Sequence, residues 1–430
     1  MPVQPPPAHA TAPWALICQP GQLTGRGRTE PDRNPRGAFA VRIPSTVELF
    51  ELPIDTLPEQ IVALAEQLAG AEVGLYVVDL EGVALRRMAG AFPLPDELPI
   101  PQMAGPEIPT GHLEALESSL AIRGIGQIVP LWLRHRAIAV FLVKGQPIAD
   151  LEPLAGRAAA VLELSIRYSD RVNTARHRQR ATAGAELQQV LLPPRLAGVR
   201  GAELAGSVLP AYDVGGDWFD HAADATGAWL ALADAAGKGA RASAVSALSL
   251  AAFRAARQAG AALSDVAALM DEAVVGFDDP SMFVTALVAR WDADTRTMEW
   301  IARGHPLPYR LAADGSAEEL DGVVSPPLGV PGGATRRVSR HPLEPGDRVV
   351  FYSDGVIERR YLAGRLGIDG FHDHLTTVPG PSAASLLTHI VSHIAGLHEE
   401  PLDDDATVLV LGVLDDRSHE PDTSPPTHRT

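Results

Sequence analysis

Four short acidic clusters in the second half of the sequence carry the residues best suited to chemistry. They are residues 214–220 (VGGDWFD), 229–239 (WLALADAAGKG), 348–356 (RVVFYSDGV) and 403–411 (DDDATVLVL). In three of them a carboxylate stands at one end of an apolar run that is typical of a β-strand. Asp234 and Asp354 each end such a run, and Asp404 comes just before one.

Carboxylates at strand ends can meet although they are distant in sequence, because the strand ends of a sandwich lie along a common rim. Side chains brought together in this way repel one another unless a cation neutralises them. Oxygen ligands without a His or Cys partner favour Mg²⁺, Mn²⁺ or Ca²⁺ over zinc. Glycines beside the aspartates let the backbone approach such an ion or its water closely. The pattern therefore predicts a site for divalent cations.

Each cluster also has a simpler interpretation when it is taken alone. Asp354-Gly355 is a common turn signal, and residues 403–405 are typical of a solvated loop. Gly237-Lys238-Gly239 superficially suggests a phosphate loop, but Gly239 follows the lysine and the GxxxxGK[ST] spacing is absent. The joint occurrence of the clusters, in a fixed order and with specific flanks, favours one shared site.

The clusters and the segments between them resemble the PPM metal-dependent protein phosphatases. The resemblance is to the bacterial branch typified by stage II sporulation protein E and stress-response phosphatases, and it runs from about residue 186 to residue 413. Six supporting segments follow in the order of that family: residues 187–193 (LQQVLLP), 237–256 (GKG and an Ala-rich helix), 282–286 (MFVTA), 304–306 (GHP), 327–329 (PLG) and 343–347 (LEPGD).

The resemblance implies an αββα sandwich with a two-metal site at one end, occupied by Mn²⁺ or Mg²⁺. Carried over residue by residue, Asp217 and Asp234 are core ligands, with Asp234 bridging both ions, and Ala235 contributes its backbone carbonyl. Asp354 and Asp404 complete the site on the other metal. Three further acids are its less favoured neighbours: Asp220, Asp403 and Asp405.

The implied activity is that of a protein serine/threonine phosphatase. Metal-activated water attacks phosphorus, and no covalent phosphoenzyme forms. The implied substrate is a regulatory phosphoprotein, such as an anti-sigma-factor antagonist of the STAS type. The alternative is a catalytically silent, phosphatase-like scaffold that binds a phosphoprotein. Silent relatives usually lose an aspartate, and all four are present here, which favours the enzyme.

Several positions depart from the family pattern or carry histidines without an assigned role. Ala233 stands where the family often has Gly, Ser353 stands where Thr is usual, and residues 302–305 read Ala-Arg-Gly-His instead of Asn-Ala-Gly-His. Substrate contacts near Arg303 and His305 are therefore in doubt, and His305 is expected either to pack or to lie near the site. The remaining histidine pairs, His372 with His374 and His389 with His393, are expected at the surface or in packing.

The N-terminal half predicts a smaller α+β domain over residues 45–165. A helix from Leu57 to Gly70 precedes a strand at 73–79, a hairpin is formed by 125–133 and 137–143, and a closing helix starts near Asp150. This order resembles a GAF-type sensor domain that would bind an unknown small ligand or partner. A PAS-like fold, another small sensor fold and a purely structural domain remain open.

Residues 166–190 are charged and helical in pattern, and they predict a linker helix before the phosphatase domain at 191–414. It is either a solvated helix or a coiled coil that joins two protomers, although few apolar residues are available for a seam. Because the helix around 187–192 joins the two domains, it is the expected switch. Residues 1–44 and 415–430 are predicted to be a flexible arm and a flexible tail.

Composition limits the remaining possibilities. The chain has 430 residues, of which 46% are hydrophobic, so folded domains are expected. A net charge of −17 argues against nucleic acid as a partner and against a nuclease. The single cysteine, Cys18, excludes an internal disulfide and is not a nucleophile. The sequence contains neither a membrane-spanning apolar run nor a signal-peptide pattern, so the expected location is the cytoplasm.

Overall fold

The computed structural model describes residues 42–90, 95–121, 125–209, 212, 215–330, 337–361, 364–378, 382–397 and 404–415. Most of the predicted arm, including Cys18, and nearly all of the predicted tail lie outside these ranges. Asp403 also lies outside them.

The N-terminal unit is a six-stranded antiparallel sheet covered by helices. Its helices are α1 (Thr46–Phe50), α2 (Leu57–Ala69), α3 (Leu113–Ala121) and α4 (Glu152–Ser165). Its strands are β1 (Val73–Val78), β2 (Ala84–Ala89), β3 (Glu97–Pro99), β4 (Ile108–Pro109), β5 (Gln127–Leu133) and β6 (Arg136–Val143). The strand order is β3-β2-β1-β6-β4, with β5 also paired to β6.

The helices and strands predicted for this unit are present, and the apolar residues whose spacing predicted α2 are buried. Ile61, Ala65 and Leu68 of α2 are buried on one face, and the helix ends at Gly70, whose left-handed φ of 63° suits glycine. The β5–β6 hairpin turns at Arg134, with a φ of 57°. The unit is α+β as predicted, and its GAF-like character stays a prediction.

The linker differs from the predicted continuous helix. It consists of two short helices, α5 (Arg171–Arg176) and α6 (Ala183–Leu191), separated by extended residues. Thr182 interrupts the helical path because its backbone N–H donates to the Tyr212 carbonyl and its side chain caps α6 at the Ala185 N–H. Val190 is 74% exposed, so the expected coiled-coil seam is thin. The dimer predicted through this segment stays a prediction.

The C-terminal part contains two further six-stranded sheets. Its strands are β7 (Leu196–Val199), β8 (Ala202–Leu209), β9 (Trp218–Ala223), β10 (Gly227–Ala235), β11 (Val284–Asp292), β12 (Thr297–Arg303), β13 (Tyr309–Leu311), β14 (Ala317–Glu319), β15 (Val324–Ser325), β16 (Ser339–Pro342), β17 (Arg348–Tyr352), β18 (Arg360–Tyr361), β19 (Gly364–Arg365) and β20 (Ala406–Val413). Sheet I has the order β15-β12-β11-β10-β9, with β16 paired to β12, and sheet II has the order β14-β13-β17-β20-β8-β7. Strands β18 and β19 form a separate hairpin.

Five helices accompany these sheets: α7 (Ala240–Gln258), α8 (Leu263–Val275), α9 (Asp354–Ile357), α10 (Gly367–Leu375) and α11 (Ala383–Gly396). The two sheets pack face to face through a core that includes Phe219, Trp300 and Phe351. Helices α7 and α8 cover the outer face of sheet I, and α10 and α11 cover that of sheet II. This is the predicted αββα sandwich.

The sandwich places the ends of its central strands along one rim. Strand β10 of sheet I ends at Ala235, strand β17 of sheet II ends at Tyr352, and strand β20 begins at Ala406. Four of the aspartates singled out above therefore reach the same edge. Within the described ranges no helix is long and apolar enough to cross a membrane.

Candidate active site

Asp217 lies in a loop whose backbone is held by another acid. Asp217 is 1% exposed and directly precedes β9. The Oδ2 of Asp405 accepts the backbone N–H groups of Gly215, Gly216 and Asp217 at 3.1, 2.9 and 3.1 Å. The Nε2 of Gln188 donates to the same oxygen at 2.9 Å. Asp405 therefore organises the loop that carries Asp217.

Asp217 is also fixed through its own side chain. The Thr407 hydroxyl donates to Asp217 Oδ2 at 2.5 Å, and Gln188 Nε2 donates to the Asp217 carbonyl at 2.9 Å. Thr407 belongs to β20 of sheet II, whereas Asp217 leads into sheet I. The carboxylate is thus positioned by both sheets and by α6.

Asp234 occupies the next-to-last position of β10, where it pairs with Thr285 of β11. The neighbouring Ala235 is buried, and its carbonyl oxygen would lie 3.2 Å from a Cβ built on Gly216. A side chain at position 216 would crowd this oxygen, so glycine allows the close approach of the two segments. The structure therefore brings Asp217, Asp234 and the Ala235 carbonyl together.

Asp217 and Asp234 are a coupled pair of carboxyl groups. Burial, followed by the charges of Asp234 and Asp405, raises the pKa of Asp217 well above its ordinary value. Burial, followed by the charges of Asp354, Asp404 and Asp405, raises the pKa of Asp234 to about 7, although contact with Asp217 opposes the rise. Two buried carboxyl groups side by side disfavour simultaneous ionisation unless a cation neutralises them.

Asp354 and Asp404 complete the rim from sheet II. Asp354 follows β17 and begins α9, and partial desolvation of its carboxyl group, together with the charges of Glu358 and Asp404, raises its pKa. Asp404 is exposed, and its Oδ1 accepts the Asp405 N–H at 3.0 Å. The charges of Asp354 and Asp404 both act on Asp234, so the two residues from sheet II lie within electrostatic range of the pair from sheet I.

Ser353 and Gly355 explain why Asp354 and Asp404 meet. The Ser353 hydroxyl accepts the Thr407 N–H at 2.9 Å and donates to the Asp405 carbonyl at 3.3 Å. A Cβ on Gly355 would lie 2.0 Å from that same carbonyl. Glycine is therefore required at position 355 because helix α9 packs closely against the segment at Asp405. Asp354-Gly355 begins this helix and does not form the turn that the Asp-Gly pair alone would suggest.

His305 has a supporting position behind this rim. It is 2% exposed, its Nε2 donates to the Tyr352 carbonyl at 3.0 Å, and its Nδ1 accepts from the Thr285 hydroxyl at 2.8 Å. Burial lowers its pKa to about 4, so the ring is neutral. Both of its partners adjoin site residues, Asp354 two positions after Tyr352 and Asp234 opposite Thr285. His305 therefore has a packing role and helps to position the strands that carry Asp354 and Asp234.

Three of the doubtful residues are engaged elsewhere. Asp220, expected as a secondary neighbour of the site, accepts two bonds of 3.0 Å from Arg254 and lies 3.6 Å from Arg257, so it ties β9 to α7. Arg303 is 2% exposed and donates to Asp271 and to the Pro326 carbonyl, which makes it a structural residue and not a substrate contact. Asp405 has the structural role described above.

Three of the four histidines of the pairs considered above form a stack. The rings of His374 and His389 are 4.4 Å apart and those of His374 and His393 are 3.8 Å apart, both stacked. His372 lies 5.8 Å from the ring of Tyr309. Packing roles fit all four.

The roles of Gln188 and Thr407 were not predicted from the sequence. Gln188 bonds to Asp217 and Asp405, and Thr407 bonds to Asp217. Both lie inside segments that were quoted for the family resemblance, but their chemistry depends on partners about 190 to 217 positions away. No group of three or more His, Cys, Asp or Glu side chains in the described ranges is arranged so that it could hold a metal ion. The metal roles of the four aspartates and Ala235 therefore stay predictions.

The family model for stage II sporulation protein E (SpoIIE) matches residues 224–414, which hold most of the sandwich. The C-terminal part of the chain is therefore a SpoIIE-type phosphatase domain.

Individual proteins are similar over the same region. Phosphoserine phosphatase RsbU of Bacillus subtilis (strain 168) is 27% identical over 230 residues, which cover 53% of this chain and 68% of RsbU. Among solved structures, the SiaA PP2C domain of Pseudomonas aeruginosa is 21% identical with a TM-score of 0.46, over 54% of this chain and 94% of that domain. The RsbU and RsbW domains of Rv1364c from Mycobacterium tuberculosis are 27% identical with a TM-score of 0.44, over 50% of this chain and 61% of that one.

Proposed function

We propose that the protein hydrolyses phosphoserine or phosphothreonine in a regulatory phosphoprotein, using two divalent cations, Mn²⁺ or Mg²⁺. The observation that supports this proposal is that Asp217 lies beside Asp234 at the rim, where the charges of Asp354 and Asp404 also act on Asp234. Like charges gathered in this way raise one another's pKa and are costly without a counter-ion. Oxygen donors alone suit these two metals.

The oxygen donors at the rim are of the kind that such ions prefer. Asp217 and Asp234 would hold them together with the Ala235 carbonyl, and Asp354 and Asp404 would serve from the opposite sheet. Asp405 keeps one buried oxygen, Oδ1, for which the described residues offer no partner. Cations bound here would lower the pKa of a water and neutralise phosphoryl oxygens.

The chain's own residues prepare the rim for this chemistry. Thr407 and Gln188 fix the orientation of Asp217, and Asp405 fixes the loop behind it. His305 stays neutral and holds the end of β17, from which Asp354 projects. Preorganised carboxylates of this kind need no rearrangement during reaction.

The substrate class follows from the similarity to RsbU, which is named a phosphoserine phosphatase. A phosphorylated anti-sigma-factor antagonist of the STAS type is the partner that we propose. The N-terminal unit would act as a GAF-like sensor for an unknown signal. Helix α6 supports this arrangement, because it lies between that unit and the rim and supplies Gln188.

Turnover of p-nitrophenyl phosphate with and without Mn²⁺ tests the proposal. Wild type should require the metal, and Asp234→Asn and Asp354→Asn should each lose most of their turnover. Asp220→Asn is the matched control, since Asp220 is also acidic, lies three residues from Asp217 and is bonded to arginines. Metal-independent turnover, or full activity in both site variants, would contradict the proposal. A folded wild type that binds a phosphoprotein without turnover would instead indicate the silent scaffold.

A further inference from the structure

A polar cavity of about 530 Å³ lies between the N-terminal unit and the segment that enters the sandwich. The N-terminal unit contributes Glu107 and Arg136 to its lining. Helix α5 contributes Arg176, helix α6 contributes Gln189, and Arg195 lies directly before β7. Its volume is in the range of small-molecule sites. The aspartate rim contributes no residue to it.

Three buried arginines line this cavity, and one of them is neutralised. Arg136, Arg176 and Arg195 are 8%, 9% and 6% exposed. Arg136 donates to Glu107 at 2.6 Å and to Glu163 at 2.8 Å. The second oxygen of Glu107 accepts the Leu196 N–H at 3.0 Å. Both oxygens of Glu107 therefore accept a hydrogen bond from a group other than Arg176 or Arg195, although its charge also acts on these two arginines.

Arg176 and Arg195 have no carboxylate in contact within the described part of the chain. Arg176 donates only to the Ile138 carbonyl, at 3.4 Å, and Arg195 donates only to Gln189 Oε1, at 2.7 Å. Three buried donor atoms of these side chains lack partners among the described residues: Arg176 Nε, Arg195 Nη1 and Gln189 Nε2. Burial, together with the charge of Arg176, lowers the pKa of Arg195 to about 10, although the charge of Glu107 opposes the fall.

Buried donors without acceptors are rare in folded proteins, and buried charges are normally paired. A guanidinium group matches the two oxygens of a carboxylate or phosphate and binds them more strongly than a neutral donor does. We propose that this cavity binds a small molecule that carries an oxyanion, either a carboxylate or a phosphate monoester, through Arg176 and Arg195.

The cavity is joined to the aspartate rim by helix α6. Gln189 contacts Arg195, whereas the preceding residue, Gln188, donates to Asp405 and to the Asp217 carbonyl. An oxyanion on Arg195 competes with Gln189 for that guanidinium and so acts on the helix that positions Asp217. Occupancy of the cavity is therefore expected to change turnover at the rim, and this second part rests on the proposed function.

Binding is tested by calorimetry on the metal-free full chain, in which no metal-dependent turnover occurs, after the chelator has been removed by dialysis because EDTA is itself a carboxylate. Succinate and glycerol 3-phosphate are the two probes and distinguish the carboxylate from the phosphate. At least one should bind wild type in the millimolar range or tighter. Arg176→Gln and Arg195→Gln should each weaken that binding roughly tenfold or more. Gln189→Glu, which supplies an internal carboxylate to Arg195, should also weaken it.

Arg359→Gln is the matched control, because Arg359 is likewise buried, donates to one carbonyl and has a buried Nε without a partner among the described residues. It should bind the probe as wild type does, and so should Asp234→Asn. The proposal is overturned if neither probe binds, or if folded Arg195→Gln, Arg176→Gln and Gln189→Glu bind as wild type does.

Coupling is tested separately through metal-dependent turnover with and without the bound probe. The probe should change the turnover of wild type and leave the turnover of Arg195→Gln unchanged. Binding without any change in turnover would leave the site in place and refute its coupling to α6. An inactive wild type that still binds the probe would contradict the proposed function only.

Discussion

Replacing Gln188 with methionine isolates the contribution of helix α6 to the aspartate rim. Methionine has a similar length and fills the same buried space, since Gln188 is 4% exposed. The substitution removes both donations of Nε2, one to Asp405 Oδ2 and one to the Asp217 carbonyl, each at 2.9 Å. The three backbone donors to Asp405 remain.

The expected cost follows from the type of each hydrogen bond. A bond to a carboxylate contributes ~1.5–3 kcal/mol and a bond to a carbonyl contributes ~0.5–1.5 kcal/mol, so the free energy of unfolding should fall by about 2–4.5 kcal/mol. Because the lost bonds hold the backbone of Asp217, its carboxylate should shift. A displacement of this kind in a preorganised site lowers kcat by roughly 10- to 100-fold.

The assay is metal-dependent turnover of p-nitrophenyl phosphate, with thermal unfolding measured in parallel. Gln102→Met is the matched control, since Gln102 Nε2 also donates to two oxygens, the carbonyls of Glu81 and Met103 at 2.7 Å, in the N-terminal unit. It should lose ~1–3 kcal/mol of stability and keep its kcat. If kcat of folded Gln188→Met stays within about twofold of wild type, the positioning role assigned to Gln188 is refuted.

Three other perturbations test the same geometry. Because the pKa of Asp234 is raised from 3.8 to about 7, its protonated form stabilises the metal-free fold, and that contribution should be lost as pH rises from about 4 through about 7. Mn²⁺ should therefore raise the melting temperature more at about pH 8 than at about pH 5, and an equal rise would contradict the shared site. Asp220→Asn should lower the free energy of unfolding by ~1.5–3 kcal/mol because it weakens the hydrogen bonds from Arg254, and kcat should be retained. A large loss of kcat in the folded variant would place Asp220 in the site. Gly355→Ala should abolish turnover or folding, because its Cβ would lie 2.0 Å from the Asp405 carbonyl, and a fully active variant would refute that packing.

The sequence predicted the sandwich and the strand ends because the relevant signals are local. Apolar runs that end at Asp234 and Asp354, or start after Asp404, define both a strand and its boundary within a few residues. The register of a sheet then places such ends along one edge. The resemblance to a known family supplied the αββα architecture, which periodicity alone does not.

The parts that were not predicted depend on distant partners. Asp404 and Asp405 are adjacent and chemically identical, yet one is exposed at the rim and the other is buried beneath backbone N–H groups of residues 215–217. Asp220 was expected as a less favoured neighbour of the site, but Arg254 and Arg257 of α7 lie beside it and engage its carboxylate. The linker was expected to be one helix because its pattern is helical, but the capping and backbone contacts of Thr182 divide it.

Anomalous scattering from crystals grown with Mn²⁺ tests the central claim most directly. Two adjacent manganese peaks are expected at the rim, with Asp234 between them. The other ligands expected around them are Asp217, the Ala235 carbonyl, Asp354 and Asp404. Crystals of Asp234→Asn should lose at least one peak. Wild-type crystals with no manganese at this rim, or with Asp217 and Asp354 turned away from a bound ion, would contradict it.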